Sequence, residues 1–117
     1  MKAWIGVDLD GTLAEYDGWQ GPQHIGRPIQ PMVDRVADWL KEGKAVKIMT
    51  ARVSHDGTRE RIEDANSALD AIQAWCVAVF GFPLEVTNIK DYGMVELWDD
   101  RAIQVIPNTG QRVDGQS

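Results

Sequence analysis

Cysteine and histidine are scarce in this chain, which has one cysteine and two histidines among its 117 residues. A single cysteine cannot form an intrachain disulfide, and it excludes a zinc–cysteine cluster. Basic residues are also in the minority, because 12 lysines and arginines oppose 18 aspartates and glutamates, for a net charge of −6. This balance disfavours nucleic acid and anionic membranes as partners. It does not disfavour a phosphate ligand, because one lysine and a metal ion reverse the sign locally.

Long apolar runs are absent as well. No stretch is long enough to span a bilayer, and Asp8 interrupts the N-terminal apolar run before a signal-peptide core could form. We therefore expect a cytoplasmic protein with no membrane partner. The length suits one domain with a hydrophobic core. We predict that this core covers residues 1–107 and that residues 108–117 form a flexible polar tail.

The chain does contain apolar strand patterns that alternate with helical ones, which predicts an α/β fold with a mainly parallel sheet and flanking helices. Cys76 lies on the apolar stripe of the second helix, so we expect it to pack in the core. A loop rich in glycine and proline runs from Ala14 to Gln30, and long loops of this kind are often functional. The predicted strands cover residues 3–9, 45–49, 84–87, 94–98 and 102–106, and the predicted helices cover residues 31–42 and 58–80.

Polar residues follow several of the predicted strands. Asp8 and Asp10 share one side of an extended chain until Gly11 ends the extension. Taken alone, this stretch is equally well explained as a strand that enters an Asp-Gly turn. The convergence of other polar groups favours a ligand site, because ligands bind at the carboxyl edge of open α/β sheets. The groups that we expect at this edge are Asp8 and Asp10, Thr50 and Arg52, Lys90, and Asp99 and Asp100.

Several carboxylates without a histidine or cysteine cluster form a hard-oxygen site, which suits Mg²⁺ better than zinc. A metal, a lysine and a hydroxyl beside spare carboxylates suit phosphoryl transfer, in which positioning and charge neutralisation supply most of the catalysis. One carboxylate can attack phosphorus, and the other can transfer the proton. We therefore expect a small phosphate ester as the substrate.

These residues resemble the four motifs of the haloacid dehalogenase (HAD) superfamily phosphatases. The motifs occur in the family's order as Asp8-Leu9-Asp10-Gly11-Thr12, Thr50, Lys90 and Asp99-Asp100. The resemblance covers the chain except for its tail, and it implies a Rossmann-like, HAD-like sheet with the first strand at its centre.

The resemblance also implies a role for each residue. Asp8 would be the nucleophile and Asp10 the general acid/base, with the Asp10 backbone carbonyl also on Mg²⁺. Asp99 would be the direct ligand from the last motif, and Asp100 a supporting or alternative one. The implied metal set is therefore Asp8, Asp10, Asp99 and Asp100. Thr50 and Lys90 would hold the transferring phosphoryl group. Gly11, Thr12 and Arg52 are further candidate substrate-binding residues, although Arg52 is equally well explained as the partner of an acidic neighbour.

One departure from the family is that no room remains between the motifs for a cap domain. The site should be open unless loop 14–30 or a second subunit of a homo-oligomer covers it. In that loop Tyr16 and Trp19 either stack on the substrate or pack the loop against the sheet. His24 and His55 also lie in loops, where a histidine is more often incidental than catalytic.

The leading hypothesis is a Mg²⁺-dependent phosphatase that forms an aspartyl phosphate. The alternatives are a phosphotransferase and a non-catalytic phosphate-binding module that keeps the fold.

Overall fold

The computed structural model describes residues 2–116, which form four strands, two α-helices and one short 3₁₀ turn. Met1 and Ser117, the outer ends of the predicted core and tail, lie outside the described residues. In chain order the elements are β1 (Trp4–Asp8), α1 (Gln30–Lys41), β2 (Ala45–Met49), the 3₁₀ turn (Ala51–Val53), α2 (Arg59–Phe80), β3 (Glu85–Thr87) and β4 (Met94–Trp98).

The four strands form one parallel sheet in the order β3-β2-β1-β4. The prediction of a parallel sheet with the first strand inside it is therefore confirmed. The path from β1 through β2 to β3 moves in one direction across the sheet, and right-handed crossovers then place both helices on the same face. Accordingly, one core cluster joins alternate residues of β1 and β2 (Ile5, Val7, Val46 and Ile48) with Val36 of α1 and Ile72 of α2.

Helix α2 ends where its local sequence dictates. Thr58 caps its first turn by accepting a hydrogen bond from the Arg61 backbone amide. Gly81 ends it with φ of 91°, in the left-handed region that favours glycine. Cys76 is fully buried on the stripe that faces the sheet, as predicted. Within the described residues, neither helix is long and apolar enough to cross a membrane.

The connection from β3 to β4, residues 88–93, contains no helix and reaches the opposite face of the sheet at Trp4. It returns past β2 and β1, and the indole N–H of Trp4 donates to the Asp91 carboxylate at 2.8 Å. Trp4 is only 2% exposed, although it does not belong to the helix-side core cluster. This contact draws the connection down to the start of β1, away from the carboxyl edge of the sheet.

The strand predicted over residues 102–106 does not form. That segment instead folds back on the tail, where the Ile106 amide donates to the Gln111 carbonyl and the Val113 amide to the Gln104 carbonyl. The turn between them uses Asn108 and Gly110, both with positive φ. The polar turn therefore pairs the segment with its own chain, and β4 remains the edge strand. The predicted flexibility of the tail stays a prediction.

Candidate active site

Three carboxylates meet at the carboxyl edge of the sheet. Asp8 ends β1, and Asp99 and Asp100 follow β4, its parallel neighbour, so the two strand ends lie side by side. One carboxylate oxygen from each of the three lies within 4.8 Å of the others. Asp8 and Asp99 are half-buried, whereas Asp100 is exposed. Strand adjacency, which the sequence alone does not give, brings these predicted metal ligands together.

Gly11 allows Asp100 to approach the end of β1. A side chain at position 11 would collide with the Asp100 carboxylate, whose carbon lies 2.9 Å from the position of a Cβ atom. Gly11 also has φ of 87°, where L side chains are strained. The next residue, Thr12, places its hydroxyl 3.4 Å from both the Asp8 and Asp100 carboxylates. Gly11 and Thr12 therefore border the acidic cluster.

Asp8 has an unusual protonation equilibrium for an aspartate. Burial raises its pKa from 3.8 to about 7, and a hydrogen bond with Asp100 adds to the shift. The negative charges of Asp99, Asp100 and Asp10 act in the same direction. A bound cation would favour the ionised carboxylate. The cluster therefore has the charge and the oxygen donors that suit a hard divalent cation such as Mg²⁺.

The raised pKa of Asp8 makes stability depend on pH, and the Asp8→Asn variant tests this dependence. The unfolded carboxyl ionises near pH 3.8, whereas the folded one stays protonated to about pH 7, so wild-type stability falls as pH rises through that interval. Asparagine does not ionise, so it causes no such loss of stability as the pH rises. In EDTA we expect Asp8→Asn to match wild type at pH 4 and to exceed it by about 1–2 kcal/mol at pH 8, after allowing for solvent screening.

Urea unfolding at both pH values measures the difference in the free energy of unfolding. Asp70→Asn, at an exposed site on α2, is the matched control and should show no pH-dependent gain. If Asp8→Asn were no more stable than wild type at pH 8, burial and the neighbouring carboxylates would not be the cause of the raised Asp8 pKa.

Arg52 holds the second aspartate of the first motif. Its guanidinium makes two hydrogen bonds of 2.8 Å to the two carboxylate oxygens of Asp10. The Arg52 side chain is 6% exposed and that of Asp10 is 22% exposed, so the pair is largely shielded from water. Arg52 also donates to the His24 carbonyl at 2.8 Å and lies over the Trp19 ring, 5.0 Å from its centroid. Of the two roles weighed for Arg52, the structure shows the acidic partner.

Thr50 sets the direction of Arg52. Its hydroxyl accepts a hydrogen bond of 3.2 Å from the Arg52 backbone amide and so caps the 3₁₀ turn after β2. Its own amide donates to the Thr87 carbonyl at 2.9 Å, which ties the end of β2 to β3. Thr50 is 4% exposed, yet it contributes to the wall of a cleft. The threonine therefore has a structural role in addition to the phosphate contact that the resemblance implies.

The cleft has a volume of about 680 Å³, within the usual range for small-molecule sites. Asp8, Asp10, Thr50, Arg52 and Asp99 all line it. Sequence reasoning missed other polar residues of its wall, which come from the start of α2 and from the segments after β3 and β4. These are Arg61, Asp64, Asn88 and Arg101, and Ser54 at the end of the 3₁₀ turn also lines the wall. The position of Arg61 in the first turn of α2 was the available signal, since that helix begins at the carboxyl edge of the sheet.

Lys90 is the predicted site residue that the structure places neither in the cleft lining nor beside the acidic cluster, whereas Gly11, Thr12 and Asp100 border the cluster without lining the cleft. It is exposed and does not belong to the lining. The cause is its neighbour Asp91, which is bound to Trp4 at the opposite end of β1. The phosphate-binding role of Lys90 stays a prediction.

The two histidines and the two loop aromatics have different surroundings. His55 accepts a hydrogen bond from the Gly57 amide through its ring, and His24 binds Arg52 through its backbone carbonyl. Neither histidine lines the cleft, whereas Tyr16 and Trp19 do. Loop 14–30 therefore reaches the site.

Comparisons with known proteins do not add to these observations. No family model, no curated protein and no solved structure matches the chain. The assignment of a function therefore rests on the motifs and on the geometry of the site.

Proposed function

We propose that this protein is a Mg²⁺-dependent phosphomonoester hydrolase that works through a phosphoryl intermediate on Asp8. The observation that carries the proposal is the meeting of Asp8, Asp99 and Asp100, because Asp8 and Asp99 line a cleft together with Asp10. Asp8 and Asp10 have different surroundings, which supports separate roles for them, attack on phosphorus by one and proton transfer by the other. Asp8 belongs to the acidic cluster, and Asp10 is bound by Arg52.

The proposed reaction has two steps. In the first, an Asp8 carboxylate oxygen attacks phosphorus, and the bond from phosphorus to the ester oxygen breaks. The departing alcohol takes a proton from Asp10, which starts this step protonated and so must release one of its two hydrogen bonds from Arg52. In the second, a water oxygen attacks phosphorus and gives a proton to Asp10, while the bond from Asp8 to phosphorus breaks. Inorganic phosphate leaves, and both aspartates return to their starting states.

The cation would be held by the clustered carboxylates. Asp8 and Asp99 are the half-buried members, and exposed Asp100 is placed to support them. Both Asp10 carboxylate oxygens accept hydrogen bonds from Arg52 in this structure. Asp10 would therefore bind the cation through its backbone carbonyl, as the resemblance implies. Bound Mg²⁺ would offset the negative charge of the phosphoryl oxygens and of the cluster.

Binding of the phosphoryl group needs positive charge as well as hydroxyl and amide donors. Arg61 and Arg101 line the cleft, and a guanidinium suits a phosphate oxygen. Lys90, the implied phosphate ligand, is exposed outside the lining. The activity assay must therefore separate the phosphatase from the alternative of a non-catalytic module that keeps the fold.

The test is phosphate release from a broad panel of phosphate esters by the purified chain. We expect hydrolysis in Mg²⁺, loss of activity in EDTA, and its return when Mg²⁺ is restored, because the acidic cluster repels the phosphoryl group without a cation. Binding of esters without release under every condition would favour the non-catalytic module. Transfer to an added alcohol in preference to water would identify a phosphotransferase.

A further inference from the structure

Loop 14–30 is tied closed at its base and fixed to the body of the protein. The Glu15 amide donates to the Arg27 carbonyl at 2.8 Å, and the Ile29 amide to the Leu13 carbonyl at 2.8 Å. The base is so narrow that a side chain at Gly26 would overlap the Glu15 backbone. The indole N–H of Trp75 on α2 donates to the Gly26 carbonyl at 3.1 Å. The loop is therefore a positioned element of the site.

The apolar anchors of this loop leave Trp19 outside the core. Ile25 and Ile29 pack against the core cluster, whereas Trp19 is 58% exposed. Trp19 lines the cleft, so its indole presents apolar surface to the space that a substrate would occupy. The ring is held by its contact with the Arg52 guanidinium and not by packing in the core.

Arg52 fixes the ring next to the chemical groups. The same guanidinium contacts the Trp19 ring and the Asp10 carboxylate, so one planar group separates the indole from the proposed acid. The leaving group of the substrate must lie beside Asp10 to receive its proton. Asp10, Arg52 and Trp19 all line the cleft, so a leaving group that extends from Asp10 past Arg52 would meet Trp19.

We propose that Trp19 is a stacking platform that makes the enzyme selective for phosphate esters whose alcohol part carries a flat, unsaturated ring. A nucleobase and a simple aryl group share this chemistry. Stacking on an exposed aromatic side chain favours flat rings over saturated rings of the same size. The inference rests on the proposed function, and it names the substrate class of the same site.

The decisive comparison uses two esters that differ only in ring planarity, benzyl phosphate and cyclohexylmethyl phosphate. We expect kcat/KM to favour the benzyl ester in wild type, and Trp19→Ala to lower that preference by on the order of ten-fold, mainly through KM. Trp19→Phe should restore much of the preference. Tyr92→Ala removes a fully exposed aromatic ring that does not line the cleft, and it should leave the preference unchanged.

A second pair, a nucleoside 5′-monophosphate and ribose 5-phosphate, identifies the source of the ring. A Trp19-dependent preference in this pair indicates a nucleobase, and its restriction to the benzyl pair indicates an aryl group. Equal kcat/KM within both pairs, or equal effects of Trp19→Ala on both members of each, would overturn the inference.

Binding of benzylphosphonate and cyclohexylmethylphosphonate, measured by calorimetry in Mg²⁺, separates this inference from the hydrolase proposal. The carbon–phosphorus bond resists hydrolysis by this mechanism, so the measurement does not depend on turnover. Tighter, Trp19-dependent binding of the benzyl compound without hydrolysis of any ester would support the platform and contradict the hydrolase. Hydrolysis of the esters without tighter binding of the benzyl compound would support the hydrolase and contradict the platform.

Discussion

Asp8→Asn should abolish phosphate release, with a fall in kcat/KM of about 1,000-fold or more. The amide has nearly the shape of the carboxylate, but it lacks the negative oxygen that would attack phosphorus. In EDTA at pH 8 we expect the variant to be at least as stable as wild type, so unfolding should not account for the loss. Steady-state assays with each active ester of the panel measure the effect. Asp70→Asn should keep wild-type activity, and Asp8→Asn activity within ten-fold of wild type would exclude Asp8 as the nucleophile.

A second variant separates loss of the nucleophile from loss of the metal site. Asp99 belongs to the same cluster but is not the proposed attacking group. Asp99→Asn should weaken Mg²⁺ activation and recover part of its activity as the Mg²⁺ concentration rises. Asp8→Asn should not recover at any Mg²⁺ concentration. Equal recovery of the two variants would mean that both carboxylates act only through the cation.

Arg52→Ala should lower both activity and stability. The substitution leaves the Asp10 carboxylate without its two hydrogen bonds and removes the contacts to His24 and Trp19. Water reaches Asp10 in part, so we expect the free energy of unfolding to fall by about 1–3 kcal/mol, less than for a fully buried pair. We expect kcat to fall by about 10–100-fold, because a loosely held acid is poorly oriented towards the leaving oxygen.

Arg52→Lys and Arg59→Ala are the controls for this prediction. Lysine has a single ammonium group and cannot bind a carboxylate in the two-point geometry of arginine, so it should restore only part of the loss. Arg59 forms an ion pair with Glu63 on the open surface of α2, with 92% of its side chain exposed. Its removal should change the free energy of unfolding by about 0.5 kcal/mol or less. If Arg52→Ala had no larger effect than Arg59→Ala, the Arg52–Asp10 pair would not organise the site.

The parts of the fold that followed from local sequence were predictable. Apolar periodicity and the capping residues Thr58 and Gly81 located α2, and β-branched apolar runs located β1 and β2. The parallel sheet followed from the alternation of strands and helices. The predicted strand over 102–106 was wrong because its backbone hydrogen bonds go to the tail turn instead, a competition that a strand pattern does not reveal.

The sequence predicted those residues of the candidate site that lie at the ends of strands. Asp8 ends β1 and Asp99 follows the neighbouring strand β4, so their meeting needed only the correct strand order. The position of Lys90 depends on a tertiary hydrogen bond between Trp4 and Asp91, residues far apart in the sequence. The link from Arg52 to Trp19 depends in the same way on the path of a long loop. Contacts of this kind are set by packing, which single-residue patterns do not encode.

Asp8 should carry the phosphoryl group during turnover. The direct measurement is rapid quenching of the wild-type protein while it hydrolyses an active ester, followed by peptide mass spectrometry. Acid quenching preserves an acyl phosphate, and borohydride reduction then converts the labelled aspartate into a stable alcohol. We expect this label to appear at Asp8, to be absent in Asp8→Asn, and to form only when Mg²⁺ is present. Turnover with no label at Asp8, or with the label at another residue, would contradict this expectation.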